Sequence, residues 1–156
     1  MEIPRTLTNK IIDFEYKRDV RTVLKLERER FNQPMTKMLI DFLTRKYGSN
    51  YFYVVDISGD GTLDGHLFAA EEQPNIVHVF SIAVDEKYEG QGIGKKLMYH
   101  LRDLATAHKK SKIILEVNLG NDRARQLYIN MGFTENGIVD DYYGPGKNGL
   151  KMELLL

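Results

Sequence analysis

Cysteine is absent from this 156-residue chain. Its absence excludes a disulfide scaffold, a thiolate zinc site and a cysteine nucleophile, and makes a reducing compartment, the cytoplasm, the expected location. Net charge is missing as well: 22 Lys and Arg balance 22 Asp and Glu. No global field therefore draws the chain to nucleic acid or anionic lipid, and neither is expected as a partner; a ligand must be caught at a local site. Long apolar runs are lacking too. Charges stand throughout the amino terminus (Glu2, Arg5, Lys10, Asp13, Glu15, Lys17, Arg18), so neither a signal peptide nor a membrane helix is expected. With no low-complexity tract, linker or repeat to divide it, the chain reads as one domain over 1–156, long enough to bury a single core.

What is present is a succession of short periodic segments. A strand is expected around Ile11 to Tyr16, then a helix from Asp19 with its apolar stripe at Val20, Val23, Leu24 and Phe31, ending near Pro34. A second helix carries Met38, Leu39, Phe42 and Leu43 and stops at Gly48. The runs 51-YFYVVD-56 and 65-GHLFAA-70 flank turn chemistry at 57–63 and predict a hairpin. A calcium loop starting at Asp56 is excluded because its twelfth position is Leu67. In 75-NIVHVFSIAV-84 both alternating faces are apolar, as in a central strand covered on both sides, with His78 at the core edge. Ile93, Leu97, Met98, Leu101, Leu104 and Ala105 recur at helical spacing. After them 112-KIILEVN-118 predicts a strand, 121-NDRARQLYIN-130 a short helix capped by Asn121 and ended by Gly132, and 133–143 with 149–156 a closing strand pair. The fold class is α/β, mixed, with parallel and antiparallel parts.

The segment 88-YEGQGIGKKLM-98 joins a strand to a helix through three glycines in five residues. A helix start behind such a turn offers unpaired N–H groups and the positive end of the helix dipole to an anion. Two phosphate motifs fail by counting. A dinucleotide fingerprint from Gly90 needs glycine where Lys95 stands, and a P-loop needs four residues between its glycines and Ser or Thr where Lys96 stands. From this stretch alone, a glycine-softened turn with no ligand stays open.

Taken together, 81-SIAVDEKYEGQGIGKKLM-98 and 115-LEVNLGNDRARQLYINMGF-133 resemble the GNAT superfamily of acetyl-CoA-dependent N-acetyltransferases, whose loop follows Arg/Gln-x-x-Gly-x-Gly/Ala. Gly92 and Gly94 match its glycines. Within that superfamily 26-LERERFNQP-34 and the Tyr142-Tyr143 pair look most like the RimI-like N-terminal protein acetyltransferases. The resemblance implies the GNAT fold, a central mixed sheet of about seven strands with helices on both faces. It also implies acetyl-CoA as cosubstrate, no metal, and direct acetyl transfer to a primary amine in a ternary complex. The chain departs from the pattern at Glu89, where Arg or Gln is usual. Its side chain is expected to point away, leaving the amides of Gly90, Gln91, Gly92, Ile93, Gly94 and Lys95 to bind the diphosphate while Lys95 or Lys96 offsets the charge.

Acyl transfer from a thioester needs a neutral amine, a donor to the developing oxyanion and a proton for the thiolate. Glu116 shares a strand face with Ile114 and Asn118, toward the strand's C-terminal end, and is the candidate base. The resemblance gives it that role; the alternative is an ion pair with Arg123 or Arg125. Asn121 and Tyr128 stand two helical turns apart. The resemblance assigns Asn121 to coenzyme A and Tyr128 to the thiol as acid; otherwise they are an N-cap and a packing tyrosine. It also places the amides of Ile82, Ala83 and Val84 beside pantetheine. On the acceptor side, Glu27 interrupts an apolar helix stripe near Phe31, and either holds the incoming ammonium or meets an arginine at the core edge. The acid that some relatives carry just after this loop's proline is missing, since Met35 and Thr36 follow Pro34. Tyr142 and Tyr143 resemble tyrosines that cover a peptide's first residues, or are β-formers of a hairpin. The expected acceptor is a protein or peptide N-terminus. A small-molecule amine or polyamine, or a non-catalytic CoA-binding regulatory module, remains as alternative, and the assembly as monomer or homodimer.

Overall fold

A computed structural model describes residues 10–48, 51–58 and 61–156. The expectations for Glu2 and Arg5, and for the turn tip at 59–60, lie outside the described residues. In chain order the elements are β1 (Lys10–Asp13), α1 (Tyr16–Arg30), α2 (Lys37–Tyr47), β2 (Tyr51–Ile57), β3 (Leu63–Gln73) and β4 (Ile76–Val84). They continue with α3 (Ile93–Ala107), β5 (Lys112–Asn118), α4 (Asp122–Met131), β6 (Thr134–Val139) and β7 (Gly149–Leu155). The described strands form one seven-stranded sheet in the order β1-β2-β3-β4-β5-β7-β6. The hairpin β2–β3 and the closing pair β6–β7 are antiparallel, as expected, and β4 runs parallel to β5. By contacts the chain divides into two compact units, Met1–Ala70 with Phe80–Leu101, and Glu71–Val79 with Arg102–Leu156.

In the first unit Val23 and Leu26 of α1, Ile40 and Leu43 of α2, and Tyr53, Val55, Phe68 and Ala83 of the strands form the core. β3 is buried from Leu63 to Ala70, and its alternation sends side chains both ways. His66 reaches Glu27 of α1, while a Cβ on Gly65 would meet the α3 side chains of Ile93 and Leu97. This unit therefore carries helices on both faces of its strands. In the second unit β5 pairs β7 from Lys112↔Leu155 to Asn118↔Gly149, and β4 pairs β5 over Ile76–His78 with Lys112–Ile114.

Four local expectations are corrected. The first strand ends at Asp13 and α1 begins at Tyr16, ahead of Asp19. Asp19 acts from inside the first turn, accepting the Glu15 N–H at 2.8 Å and held by Arg18 at 2.7 Å, so it closes a helix end that lies upstream of it. On α2 the buried residues are Ile40 and Leu43, while Met38, Leu39 and Phe42 are exposed; the apolar stripe is real but rotated. On β4 only the Val77, Val79, Ser81 and Ala83 face is fully buried, and the His78, Phe80, Ile82 and Val84 face is half-buried. The strand expected to reach Tyr143 ends at Val139. Asp141 takes a left-handed φ of 55° and puts both tyrosines in the turns before β7.

Gly65 is required by close approach, since an added Cβ would lie 2.8 Å from the Ala83 carbonyl oxygen. Gly65→Ala is expected to destabilise the protein by roughly 1–3 kcal/mol, the usual range for overpacking. Urea denaturation of the variant beside the wild type measures it.

Candidate functional site

The first unit supplies the glycine turn. A single 3-10 turn, Glu86–Tyr88, follows β4, and the chain then passes through Gly90 (φ 79°) and Gly92 (φ 78°) into α3. Both values lie in the left-handed region that side chains rarely adopt, so glycine is required for the turn itself. The first helical amide to bond back is Lys96 N–H, to Gly92 O at 2.9 Å. The amides of Ile93, Gly94 and Lys95 precede it, at the positive end of a 15-residue helix. Gly90, Gln91 and Gly92 are exposed. The Glu89 carboxylate is paired with Arg30, in the last turn of α1. Lys96 is engaged with fully buried Asp56 at 3.1 Å, whereas Lys95 lies over the Tyr99 ring at 5.8 Å. Exposed amides, a committed carboxylate and a nearby guanidinium fit a diphosphate.

Glu27 is 1% exposed, and among the described residues no arginine meets it. Its carboxylate accepts from the Met35 amide at 3.1 Å, contacts the Ser81 hydroxyl, and lies 2.8 Å from Nε2 of fully buried His66. It thus ties α1 to the loop before α2, to β3 and to β4. Burial of an acid is tolerable because each oxygen is met. Phe31 caps α1 through its backbone N–H and is 37% exposed.

The second unit holds the candidate base. Glu116 lies 2.7 Å from Nε2 of His78, whose Nδ1 is 3.3 Å from Glu72 of β3. Neither arginine is its partner in this geometry: Arg125 donates to Glu135 and to the Leu119 carbonyl. The half-buried imidazole was legible in the sequence only as a core-edge residue, because a parallel β4–β5 register is needed to set it beside Glu116. Burial works to lower the His78 pKa, but the hydrogen bonds and negative charges of Glu116 and Glu72 outweigh it and leave the group above its ordinary 6.5. Tyr142 and Tyr143 pack edge to face with ring centres 4.8 Å apart. Burial and the Glu116 charge push the Tyr142 phenol up, and burial with neighbouring Tyr142 and Glu116 does the same to Tyr143. Tyr128 packs on Phe133 and is buried, which raises its hydroxyl to about 12. Like an unshifted phenol it is protonated at neutral pH, so its O–H can donate there. Asn121 is the N-cap of α4, accepting from the Ala124 amide at 3.1 Å, and remains exposed. Among the described residues no group of three or more His, Asp or Glu side chains is arranged to hold a metal ion, and no helix is long and apolar enough to cross a membrane.

Comparison with known proteins adds a lineage to this geometry. A model described as "Acetyltransferase (GNAT) family" matches residues 13–133. An N-acetyltransferase of Methanocaldococcus jannaschii, itself uncharacterised, is 32% identical over 136 residues, covering 86% of this chain and 85% of the relative. N-alpha-acetyltransferase RimI of Mycobacterium tuberculosis is 33% identical over 102 residues, 64% of this chain and 63% of that protein. The crystal structure of the ribosomal-protein-S18-alanine N-acetyltransferase of Escherichia coli is similar with a TM-score of 0.83 at 25% identity, over 94% of this chain and 93% of that one.

A histidine whose folded pKa is raised contributes stability that is complete below its unfolded value and is lost as the pH climbs through the folded one. For His78 that loss begins above pH 6.5. An NMR titration of the His78 ring is expected to show a midpoint above 6.5, and Glu116→Gln to bring it down and to flatten the accompanying loss of stability. An unchanged midpoint in Glu116→Gln would refute the coupling.

Proposed function

The chain belongs to the acetyltransferase (GNAT) family, and from that premise we propose that its acceptor is the amino-terminal α-amine of a protein or peptide. As a member it is an acetyl-CoA-dependent N-acyltransferase; the acceptor and the residue roles below are our reading. The observation that carries it is the Glu116–His78 pair, with Tyr142 and Tyr143 in the same compact unit. A carboxylate backed by an imidazole can accept the proton of an incoming amine, and two tyrosines on an open turn suit a short stretch of main chain better than a compact polyamine. Glu27, the acid expected to hold an incoming ammonium, is instead enclosed by Met35, His66 and Ser81. The names of RimI and of the S18-alanine enzyme support an α-amine acceptor.

Acetyl-CoA supplies the thioester whose carbonyl the amine attacks. The amides of Gly90 to Lys95 hold its diphosphate, and those of Ile82, Ala83 and Val84 line its pantetheine, one of them donating to the oxyanion. Asn121, at the start of α4, keeps the coenzyme A role that the resemblance gives it. Glu116, steadied by His78, takes the amine proton, directly or through a water. Tyr128, like any phenol, holds its proton at neutral pH, and presents that proton to the departing thiolate as the carbonyl–sulfur bond breaks. Phe31 flanks the acceptor, while Glu27 positions the loop at Met35. We place the activity in the cytoplasm, where acetyl-CoA and newly made amino termini coexist.

Thiol release from acetyl-CoA, followed over peptides that differ at their first residue, tests this. Turnover is expected with free amino termini, none with blocked ones, and no competition from spermidine. Preference for spermidine over every peptide would overturn the acceptor assignment. Tyr128→Phe is expected to lower kcat on the order of 10²-fold with little change in CoA affinity. Gly92→Val, strained at its positive φ, is expected to abolish CoA binding.

A further inference from the structure

The turn that meets the diphosphate carries a carboxylate at its first position, and a guanidinium from another element stands against it. Arg30 ends α1, 59 residues before Glu89 in sequence, and the pair sits at the mouth of the turn that leads into Gly90 and Gly92. Glu89 is 37% exposed and Arg30 29%, so neither is sealed from a ligand. We infer that Arg30 is a further cosubstrate-binding residue that supplies to the CoA diphosphate the cation the turn itself lacks, with Glu89 as the bracket that aims it.

Glu89 alone beside a diphosphate is repulsive. An arginine has five donors in a planar fork, and its contact to Glu89 is made through Nη2, which leaves further N–H groups for a phosphate oxygen. The neighbouring cations serve less well. Lys96 is committed to buried Asp56, and Lys95 lies over Tyr99. Holding Arg30 by a carboxylate at the turn limits the rotamer freedom it must give up when phosphate arrives, so the pair is pre-organised. Sequence spacing does not disclose this arrangement, since the cation and the turn belong to different elements.

The inference rests on CoA binding at the glycine turn, and the experiment separates the two. Calorimetric titration of CoA and of dephospho-CoA into the wild type, Arg30→Gln, Glu89→Gln and the double variant is the test. Arg30→Gln is expected to weaken CoA binding about tenfold, and Glu89→Gln to weaken it less, because loss of the bracket is partly offset by loss of the carboxylate's repulsion. If Arg30 only neutralised Glu89, removing both charges would restore wild-type affinity; if Arg30 binds phosphate, the double variant stays weakened. A double variant as tight as the wild type would overturn the inference. The deficit is expected to persist with dephospho-CoA, and its disappearance there would overturn assignment to the diphosphate. A wild-type chain that binds no CoA would overturn the proposed function, and this inference with it. Because both side chains are part-exposed at the surface, unchanged melting temperatures are expected for all three variants.

Discussion

Two left-handed residues, Gly90 and Gly92, govern how the chain enters α3. Their φ values near +80° turn the chain out of β4 and start α3 in a direction set by backbone geometry, with the first-turn amides at the exposed end of a 15-residue helix. No side chain is needed to present those amides, and a β-carbon at Gly92 would be opposed by its dihedral although space around it is open. The proposed hold on acetyl-CoA depends on this bend, because acyl-transfer chemistry elsewhere is useless if the donor is not held.

Buried charge is handled by assigning partners. Glu27 would be costly inside α1's apolar stripe without them, yet its oxygens meet an amide, a hydroxyl and an imidazole from three other segments. The network makes the loop after α1 part of the core packing. In the second unit Glu116 and Glu72 share one imidazole, which gains pKa from both. Each unit therefore pairs a glutamate with a histidine, one wholly enclosed and the other part-exposed. Exposure separates a packing group from one that can exchange protons with a ligand.

Much of the fold was legible from period and punctuation. The hairpin at β2–β3, the α3 stripe from Ile93, the alternation of β5, the Asn121 cap and the closing antiparallel pair follow from residues near in sequence. Where reading failed, a local side-chain cap, a packing contact or an unfavoured dihedral had the deciding role. Asp19 capped a helix from within it, the α2 stripe rotated about Ile40, and Asp141 ended a strand that β-forming tyrosines seemed to extend.

The sequence by itself determined the class of chemistry: no thiol, no net field, a glycine turn without a P-loop, and a likeness to the acetyltransferase (GNAT) family over residues 13–133. Tertiary structure alone decided who stands beside whom. Arg30 reaches Glu89, His78 reaches Glu116, and His66 rather than an arginine reaches Glu27. Local periodicity reports which face of an element a residue occupies, whereas strand register and helix packing choose the partner across the gap, and those are set by the whole core at once.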